Sequence, residues 1–349
     1  MTSVSVLDGF LYAAALAALS AMLTRVMLNA NILAVPNHRS SHPRPVPNSG
    51  GVAIVATAYL GVSAAYAVGP YFEEVEQQLI GLGLAAFIIV IAGLSDDLGR
   101  FRSFGAKLAA QLLACGVLLA FDVVITVMPV PFFGAVRLGG WGYPVTAIWI
   151  IGITNIYNFM DGLDGLAAGT AIIAAAGFGL ICVGQGASFS VVLCLVLAAA
   201  TLGLLFFNFP KARIFMGDVG SQFLGFALAA LAVLAAEFEQ AGITILLMPL
   251  LLFNFIFDTV FTFCRRFLAG QNVTQAHRSH LYQLMNQLGH SHARVSMFHF
   301  VVALLQAGGA VALVKNFVVD PALIFLPFLV FQSAYAALVL RATRRRRSA

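Results

Sequence analysis

The stretch NIYNFMDGLDGLAAG, residues 155–169, decides how this chain folds. Apolar runs flank it, at about 142–157 and 165–183. Each has roughly the length a helix needs to cross a bilayer. Inside the stretch, Asn155, Asn158, Asp161 and Asp164 recur every three residues. In a helical or near-helical turn they fall on one side of the chain. The two Asp-Gly pairs allow a tight turn or a close approach of backbone to ligand. An Asp-Gly turn alone needs neither the two asparagines nor their register, so the pattern favours a functional polar wall. The spacing is not that of an EF-hand loop.

The same alternation of apolar run and polar break extends along the chain. Of 349 residues, 61% are hydrophobic and 9% charged. A soluble domain carries about 25% charged residues. The expected fold is therefore an all-α polytopic integral membrane protein, a single multi-spanning domain over residues 1–349 with about eleven transmembrane helices. The spans read as about 6–28, 50–69, 79–95, 107–121, 142–157, 165–183, 188–207, 219–236, 241–263, 296–315 and 321–340. The fifth is the least regular. The Pro- and Gly-rich segment before it, VMPVPFFGAVRLGGWGYP, reads as an external loop or hairpin. The first run reads as a retained span and not a cleaved signal, because Arg25 follows it and no basic residue precedes it. Cys115, Cys182, Cys194 and Cys264 show no paired spacing and read as small packing residues.

Charge tests the topology. The net charge of +5 does not indicate nucleic acid, because the basic residues lie between apolar runs and in the tail RATRRRRSA, residues 341–349. With the N-terminus outside and the C-terminus cytoplasmic, Arg137 and Lys315 are the only two of 19 basic residues left outside. A miscounted span would scramble that separation, which follows the positive-inside rule. The acids sort as well. Asp96, Asp97, Asp161, Asp164, Asp218 and Asp258 lie at or near inner ends of spans, while every glutamate lies outside. Short, stiff carboxylates at helix ends suit a divalent metal or a defined phosphate contact.

The inner loops carry distinct chemistry. VPNHRSSHPRPVPNSGG (35–51) is rigid and holds Arg39 and His42; it reads equally as an anion-binding edge or as an orientation loop facing headgroups. GLSDDLGRFRSFGAK (93–107) joins the adjacent Asp96 and Asp97 to Lys107. Neighbouring carboxylates repel, so a cation or arginines should hold them ionised, although one of the pair could be a helix cap. NFPKARIFMGDVGSQFLG (208–225) sets Asp218 and Ser221 at a helix start, where N–H groups can face a phosphate. In AHRSHLYQ, His277 and His280 share a face if helical, with Arg278 between them. Phosphate contacts suit them better than zinc does. Asp258 reads as a partner for Arg265 or Arg266.

Six of these segments occur in one order over residues 36–292: PNHRSSHPRPVPNSGG, SDDLGRFRSFGAK, NIYNFMDGLDGLAAG, FMGDVGSQFLG, FDTVFTFCRR and HRSHLYQ. Together they resemble the polyprenyl-phosphate N-acetylhexosamine-1-phosphate transferases, the MraY/WecA superfamily. The likeness is nearer the WecA-like branch that initiates O-antigen or capsule units. The resemblance implies a magnesium-dependent transfer, with manganese as a substitute, of sugar-1-phosphate from a UDP-amino sugar to undecaprenyl phosphate. It implies Asn158 and Asp218 as metal ligands and Asp96 and Asp97 beside the acceptor phosphate. Asp161 and Asp164 would place the donor. Arg39, His42, Lys107, Ser221, His277, Arg278 and His280 would contact phosphate or substrate. Asn48 and Ser49 depart from the basic residue and glycine common in related enzymes. The implied partners are the UDP-amino sugar, the lipid acceptor and the bilayer of a bacterial inner membrane; a homodimer is left open.

The chemistry agrees with this reading. Two phosphate-bearing reactants repel, and displacement at phosphorus is mainly positioning and charge neutralisation. Asp97 is a candidate base, with mutual orientation with Asp96 as its rival role. An ion-coupled transporter is the alternative function, but its ionisable residues should lie near the bilayer midplane in repeated halves, and no repeat is visible.

Overall fold

The computed structural model describes residues 6–30, 33–34, 45–100, 103–130, 133–239, 242–273, 275, 277–315 and 321–348. Seven long helices precede the loop at residues 209–216: α1 (Val6–Met27), α2 (Gly50–Val68), α3 (Glu76–Asp97), α4 (Phe104–Ala120), α5 (Gly142–Met160), α6 (Leu166–Gln185) and α7 (Ser188–Asn208). Then come α8 (Gly217–Phe238), α9 (Leu247–Leu251), α10 (Phe253–Leu268), α11 (Leu281–Gln287), α12 (His292–Lys315) and α13 (Phe325–Ser348). Eight of these helices are long and apolar enough to cross a membrane, and α4 is a shorter apolar helix. Large side chains such as Phe10, Ile148, Phe206 and Leu338 stand exposed. So broad an apolar surface fits contact with lipid.

Helix lies within every expected span, but those over α4, α5 and α9–α10 are not among the eight helices long and apolar enough to cross. The run at 241–263 is not one continuous helix: residues 242–246 are non-helical, and a turn at Leu252 separates α9 from α10. The polar residues of α10 explain its departure from a plain span. Asn254, Asp258, Thr259 and Thr262 are buried on one face, while Val260, Phe263 and Phe267 are exposed on the other. That helix must point its polar face at protein partners, since lipid offers none. The segment before α5 is the hairpin its Pro and Gly content suggests, β3 (Val127–Val130) paired antiparallel with β4 (Gly134–Arg137). A smaller antiparallel pair joins β1 (Leu33–Ala34) to β2 (Val46–Pro47). Cys115, Cys182 and Cys194 are buried, whereas Cys264 is exposed.

Helix α8 is the axis of the molecule. Ninety-four per cent of its apolar window is buried, against 22% for α1 and for α13. Its length is rich in glycine and alanine, which lets neighbouring backbones approach closely where no hydrophobic force between helices operates. A Cβ on Gly225 would lie 2.6 Å from the Tyr157 Cβ on α5. One on Gly51 would lie 2.2 Å from the Gly220 nitrogen. One on Gly93 would lie 2.8 Å from the Asp218 carbonyl oxygen. Glycines thus draw α2, α3 and α5 onto the first turns of α8, and that convergence builds the site. At the opposite end, glutamates tie loops together. Glu237 accepts from the Thr126 nitrogen at 2.8 Å, and Glu239 accepts from the Ser190 nitrogen at 3.0 Å.

Candidate active site

The first turn of α8 leaves backbone N–H groups without helical partners and carries positive dipole charge. Asp97, at the end of α3, supplies the missing acceptors. Its Oδ1 accepts from the Asp218 nitrogen at 2.9 Å and its Oδ2 from the Val219 nitrogen at 3.1 Å. The Asn48 amide donates to Oδ1 at 2.8 Å. Gly217, with φ +68°, makes the turn, and a Cβ there would sit 2.5 Å from Asp97 Oδ2. The residues before α2 are strapped to those before α8, with the Phe215 nitrogen bonded to Pro47 oxygen at 2.8 Å and the Gly50 nitrogen to Phe215 oxygen at 2.9 Å.

Beside this cap lies an ionic cluster. Lys107, in the first turn of α4, reaches Asp96 at 2.6 Å and also bonds Asp218. Asp96, Asp97 and Asp218 against one lysine leave an excess of negative charge, which favours a further cation. Asn158, near the end of α5, donates its amide to Asp218 at 3.1 Å and to the Ser221 hydroxyl at 2.9 Å. Ser221 in turn donates to Gly217 oxygen at 2.9 Å. With its N–H groups so engaged, Asn158 has its carbonyl oxygen to offer a metal. Behind the carboxylates, Gln222 donates to Asp218 at 3.3 Å, Gln111 to Gln222 at 3.0 Å, and Asn155 to Gln111 at 2.7 Å. This amide chain fixes the Asp218 rotamer from within the protein.

The polar ladder of α5 splits where the helix ends. Asn155 and Asn158 are helical and face α4 and α8. Asp161 is the C-cap, and it stays near the cluster: burial, then the charges of Asp218 and Asp97, push its carboxyl up to about 8. Asp164 turns elsewhere. Its carboxylate accepts from the Ala212 nitrogen at 3.2 Å and meets His292 Nδ1 at 3.0 Å, while its carbonyl accepts from Ser296 at 2.8 Å. Gly165, with φ +71°, diverts the chain into α6.

The HRSH loop reaches the same face without being helical. His280 is the N-cap of α11, and His277 precedes it in an irregular segment. Their rings still lie 4.9 Å apart. His277 Nδ1 accepts from Ser279, whose hydroxyl is 3.0 Å away. Burial, then the charges of His280, Arg266 and Arg265, lower the His277 pKa to about 4. At neutral pH it is thus a neutral ring presenting Nε2–H as one donor. His280 is buried, with Nδ1 3.2 Å from Asp258. Tyr282 docks the loop on α5, donating to Phe159 oxygen at 3.0 Å.

Asp258 therefore has a different role from the arginine partner expected of it. It accepts from the Leu281 nitrogen at 2.9 Å and the Tyr282 nitrogen at 3.1 Å, besides His280. It caps α11 from α10, as Asp97 caps α8 from α3. Arg265 instead donates to the Ser279 carbonyl. Arg278 lies in the loop and accepts from Gln287 at its carbonyl, 2.7 Å away. Arg39 and His42 fall outside the described residues.

The structure thus joins Asp96, Asp97, Lys107, Asn158, Asp218 and Ser221 in one bonded cluster. Asp161 lies within its field, and Asp164 is engaged with α12. Asn48, Gln111 and Gln222 belong to the cluster too, and sequence reasoning did not place them there. Gln111 and Gln222 lie inside apolar helices, and an uncharged polar residue in a span is the one signal that could have marked them. Among the described residues, no group of three or more His, Cys, Asp or Glu is placed to hold a metal by itself. One or two carboxylates and an amide carbonyl suit magnesium, which takes its other ligands from water and substrate phosphate. They do not suit zinc, which prefers four protein nitrogen or sulfur ligands in structural sites.

A carboxylate-rich site at one end of a helical membrane bundle defines a membrane-embedded enzyme more readily than a carrier. The sequence profile of glycosyl transferase family 4 matches residues 79–236. A Bacillus subtilis (strain 168) protein described as a probable undecaprenyl-phosphate N-acetylglucosaminyl 1-phosphate transferase is 32% identical over 294 residues, which is 84% of this chain and 80% of that one. The decaprenyl-phosphate N-acetylglucosaminephosphotransferase of Mycobacterium leprae (strain TN) is 32% identical over 312 residues, covering 80% of this chain and 76% of its own. A phospho-N-acetylmuramoyl-pentapeptide-transferase of Levilactobacillus brevis is 33% identical over 202 residues, 54% of this chain and 61% of its own. The chain belongs to the polyprenyl-phosphate N-acetylhexosamine-1-phosphate transferase family and is a multi-pass membrane transferase. The transporter alternative has no support.

Proposed function

We propose that this enzyme transfers a sugar-1-phosphate from a UDP-N-acetyl amino sugar to undecaprenyl phosphate, releasing UMP. The product would initiate a lipid-linked surface polysaccharide of O-antigen or capsule type. The observation that carries the reading is the Asp96–Lys107–Asp218 cluster, built at helix ends with Asn158 beside it. Eleven crossings, the ninth broken at Leu252, would put this face in the cytoplasm, with the N-terminus outside and the C-terminus inside. The membrane would be the bacterial cytoplasmic membrane.

Asp218 and the carbonyl oxygen of Asn158 would hold magnesium, or manganese in its place, and the ion would neutralise diphosphate oxygens of the donor. Lys107 already bridges two carboxylates and would shift toward phosphate as the reactants enter. Asp97 keeps Asp218 in place through the first turn of α8. Asp161, beside this cluster, would help to place the donor's diphosphate. His277 offers a neutral N–H to the same end. The acceptor is a phosphate monoester with a second pKa of about 6, mainly dianionic near neutrality, so a strong base is not needed. Attack at phosphorus leaves the sugar C1–O bond intact, and the anomeric configuration is retained.

Purified protein given undecaprenyl phosphate, magnesium and a panel of UDP-amino sugars should release UMP with at least one donor. Asp218→Asn should abolish that release while inserting normally. Folded wild-type protein inert to the whole panel would overturn the proposed reaction, and wild-type rates in Asp218→Asn would overturn the metal role.

A further inference from the structure

Asp258 and His280 are both buried, one inside α10 and the other at the start of α11. For a helix cap, the bonds from the Leu281 and Tyr282 nitrogens to Asp258 are enough. The carboxylate does more than cap. Its Oδ1 also accepts from the Thr262 hydroxyl at 3.2 Å and faces His280 Nδ1 at 3.2 Å. A carboxylate that takes bonds from two backbone N–H groups and a hydroxyl is an acceptor toward the ring as well. The ring nitrogen in front of it therefore carries the proton.

In a neutral imidazole one nitrogen donates and the other accepts. With Nδ1–H turned to Asp258, Nε2 is the His280 nitrogen left for a reactant, and it is an acceptor. His277 is the reverse: its Nδ1 accepts from Ser279, 3.0 Å away, which puts the proton on Nε2. The rings lie 4.9 Å apart yet offer one donor and one acceptor. They are therefore not interchangeable phosphate contacts. An anionic oxygen suits His277, whereas neutral His280 suits a hydroxyl or N–H. His280 meets phosphate only as an imidazolium, whose charge Asp258 then balances, and Nδ1 keeps its proton in both states. The loop abuts the end of α5. His280 lies 6.4 Å from Phe159, centroid to centroid, and Phe159 directly follows Asn158. Gly162, next to Asp161, leaves no space for a side chain there, since a Cβ would lie 2.2 Å from the Tyr282 hydroxyl oxygen. We infer that Asp258 is a positioning residue for the transfer: it fixes the His280 proton on Nδ1 and so makes Nε2 the acceptor for a hydroxyl or N–H of the amino-sugar donor. This role rests on the transfer reaction proposed above, but its first test needs no substrate.

That test is NMR of the full-length protein in detergent, with histidine isotopically labelled at nitrogen and His280 assigned by the loss of its signals in His280→Gln. At a pH high enough for the ring to hold one proton, the proton should be on Nδ1, and His277 should show the opposite tautomer. A His280 proton on Nε2 overturns the inference. The second test is UMP release. Asparagine at position 258 can turn an N–H₂ group to the ring as readily as an oxygen, so Asp258→Asn should lower kcat/KM about 10–100-fold, as loss of an orienting partner does. His280→Gln should lower it at least as far, and the double variant no further, because Asp258 acts through the ring. A cap alone gives losses that multiply in the double variant, or a lower melting midpoint with unchanged kcat/KM. Either result overturns the positioning role, as does wild-type turnover in His280→Gln. Folded wild-type protein inert to every donor overturns the reaction and the role together, whereas a proton on Nε2 overturns the role alone.

Discussion

Replacing Asp97 by asparagine separates two roles for that residue. The carboxylate receives the Asp218 and Val219 nitrogens and the Asn48 amide. Asparagine keeps one acceptor oxygen, so it retains the bonds to Oδ1 and turns an N–H₂ group toward the Val219 N–H. A lost hydrogen bond to a charged group is worth about 1.5–3 kcal/mol. Loss of negative charge at the start of α8 adds about 0.3–1 kcal/mol. Relief of repulsion with Asp96 and Asp218 returns part of this, leaving a net loss of about 2 kcal/mol, still more than a typical surface substitution. The protein should melt several degrees lower in detergent, and half-maximal turnover should require more magnesium, because Asp218 rides on the turn that Asp97 closes. Asn48→Ala removes one bond without touching the carboxylate and should reproduce a fraction of both effects, about 1 kcal/mol in stability. If Asp97→Asn loses turnover with an unchanged melting midpoint and magnesium dependence, and Asn48→Ala is silent, the positioning argument is wrong and Asp97 acts on the reactants.

Three further outcomes can be checked. Gln222→Ala should destabilise the protein by about 1–3 kcal/mol, because Gln111 loses a buried partner; an unchanged melting midpoint would count against the amide chain. Asp164→Asn should keep turnover within about tenfold, a change of about 1.4 kcal/mol, because Asp164 is bonded to Ala212 and His292; a loss as complete as in Asp218→Asn would place it at the chemistry after all. His277 binds its proton only near pH 4 when folded, against about 6.5 when unfolded. The unfolded chain thus binds more protons, so stability falls as pH drops from 6.5 toward 4. His277→Gln should flatten that acid limb in melting curves, and parallel limbs would refute the shift.

Much of the architecture is legible in the chain because a bilayer makes composition speak. Apolar runs, the hairpin before α5 and the sorting of charge need no tertiary information, and the positions of the helices follow them closely. The break at Leu252 is less visible, since the residues around it are as apolar as any span and only the polar face of α10 requires the turn. Within the site, the types and order of the aspartates are readable, but their duties are not. Asp97 reads as a chemical group and Asp258 as an arginine's partner, yet both cap helices in trans, α8 and α11. That role depends on which helix start lies beside each one. The rhythm of Asn155, Asn158, Asp161 and Asp164 foretells a shared face. It ends at Asp164 because α5 stops at Met160 and the chain turns toward α12.

By itself, then, the sequence determined that the chain is a helical membrane protein, which loops share one end of the bundle, and which residues could do phosphate chemistry. These follow from local hydrophobicity and charge, which act on each segment separately. Only the tertiary structure decided which polar groups touch. Close glycine contacts bring α2, α3 and α5 against α8, and that packing sets Asp218 between Lys107, Asn158 and Gln222. Bonds in the cluster join residues up to 122 positions apart, as between Asp97 and Val219. No local pattern encodes a meeting at that separation.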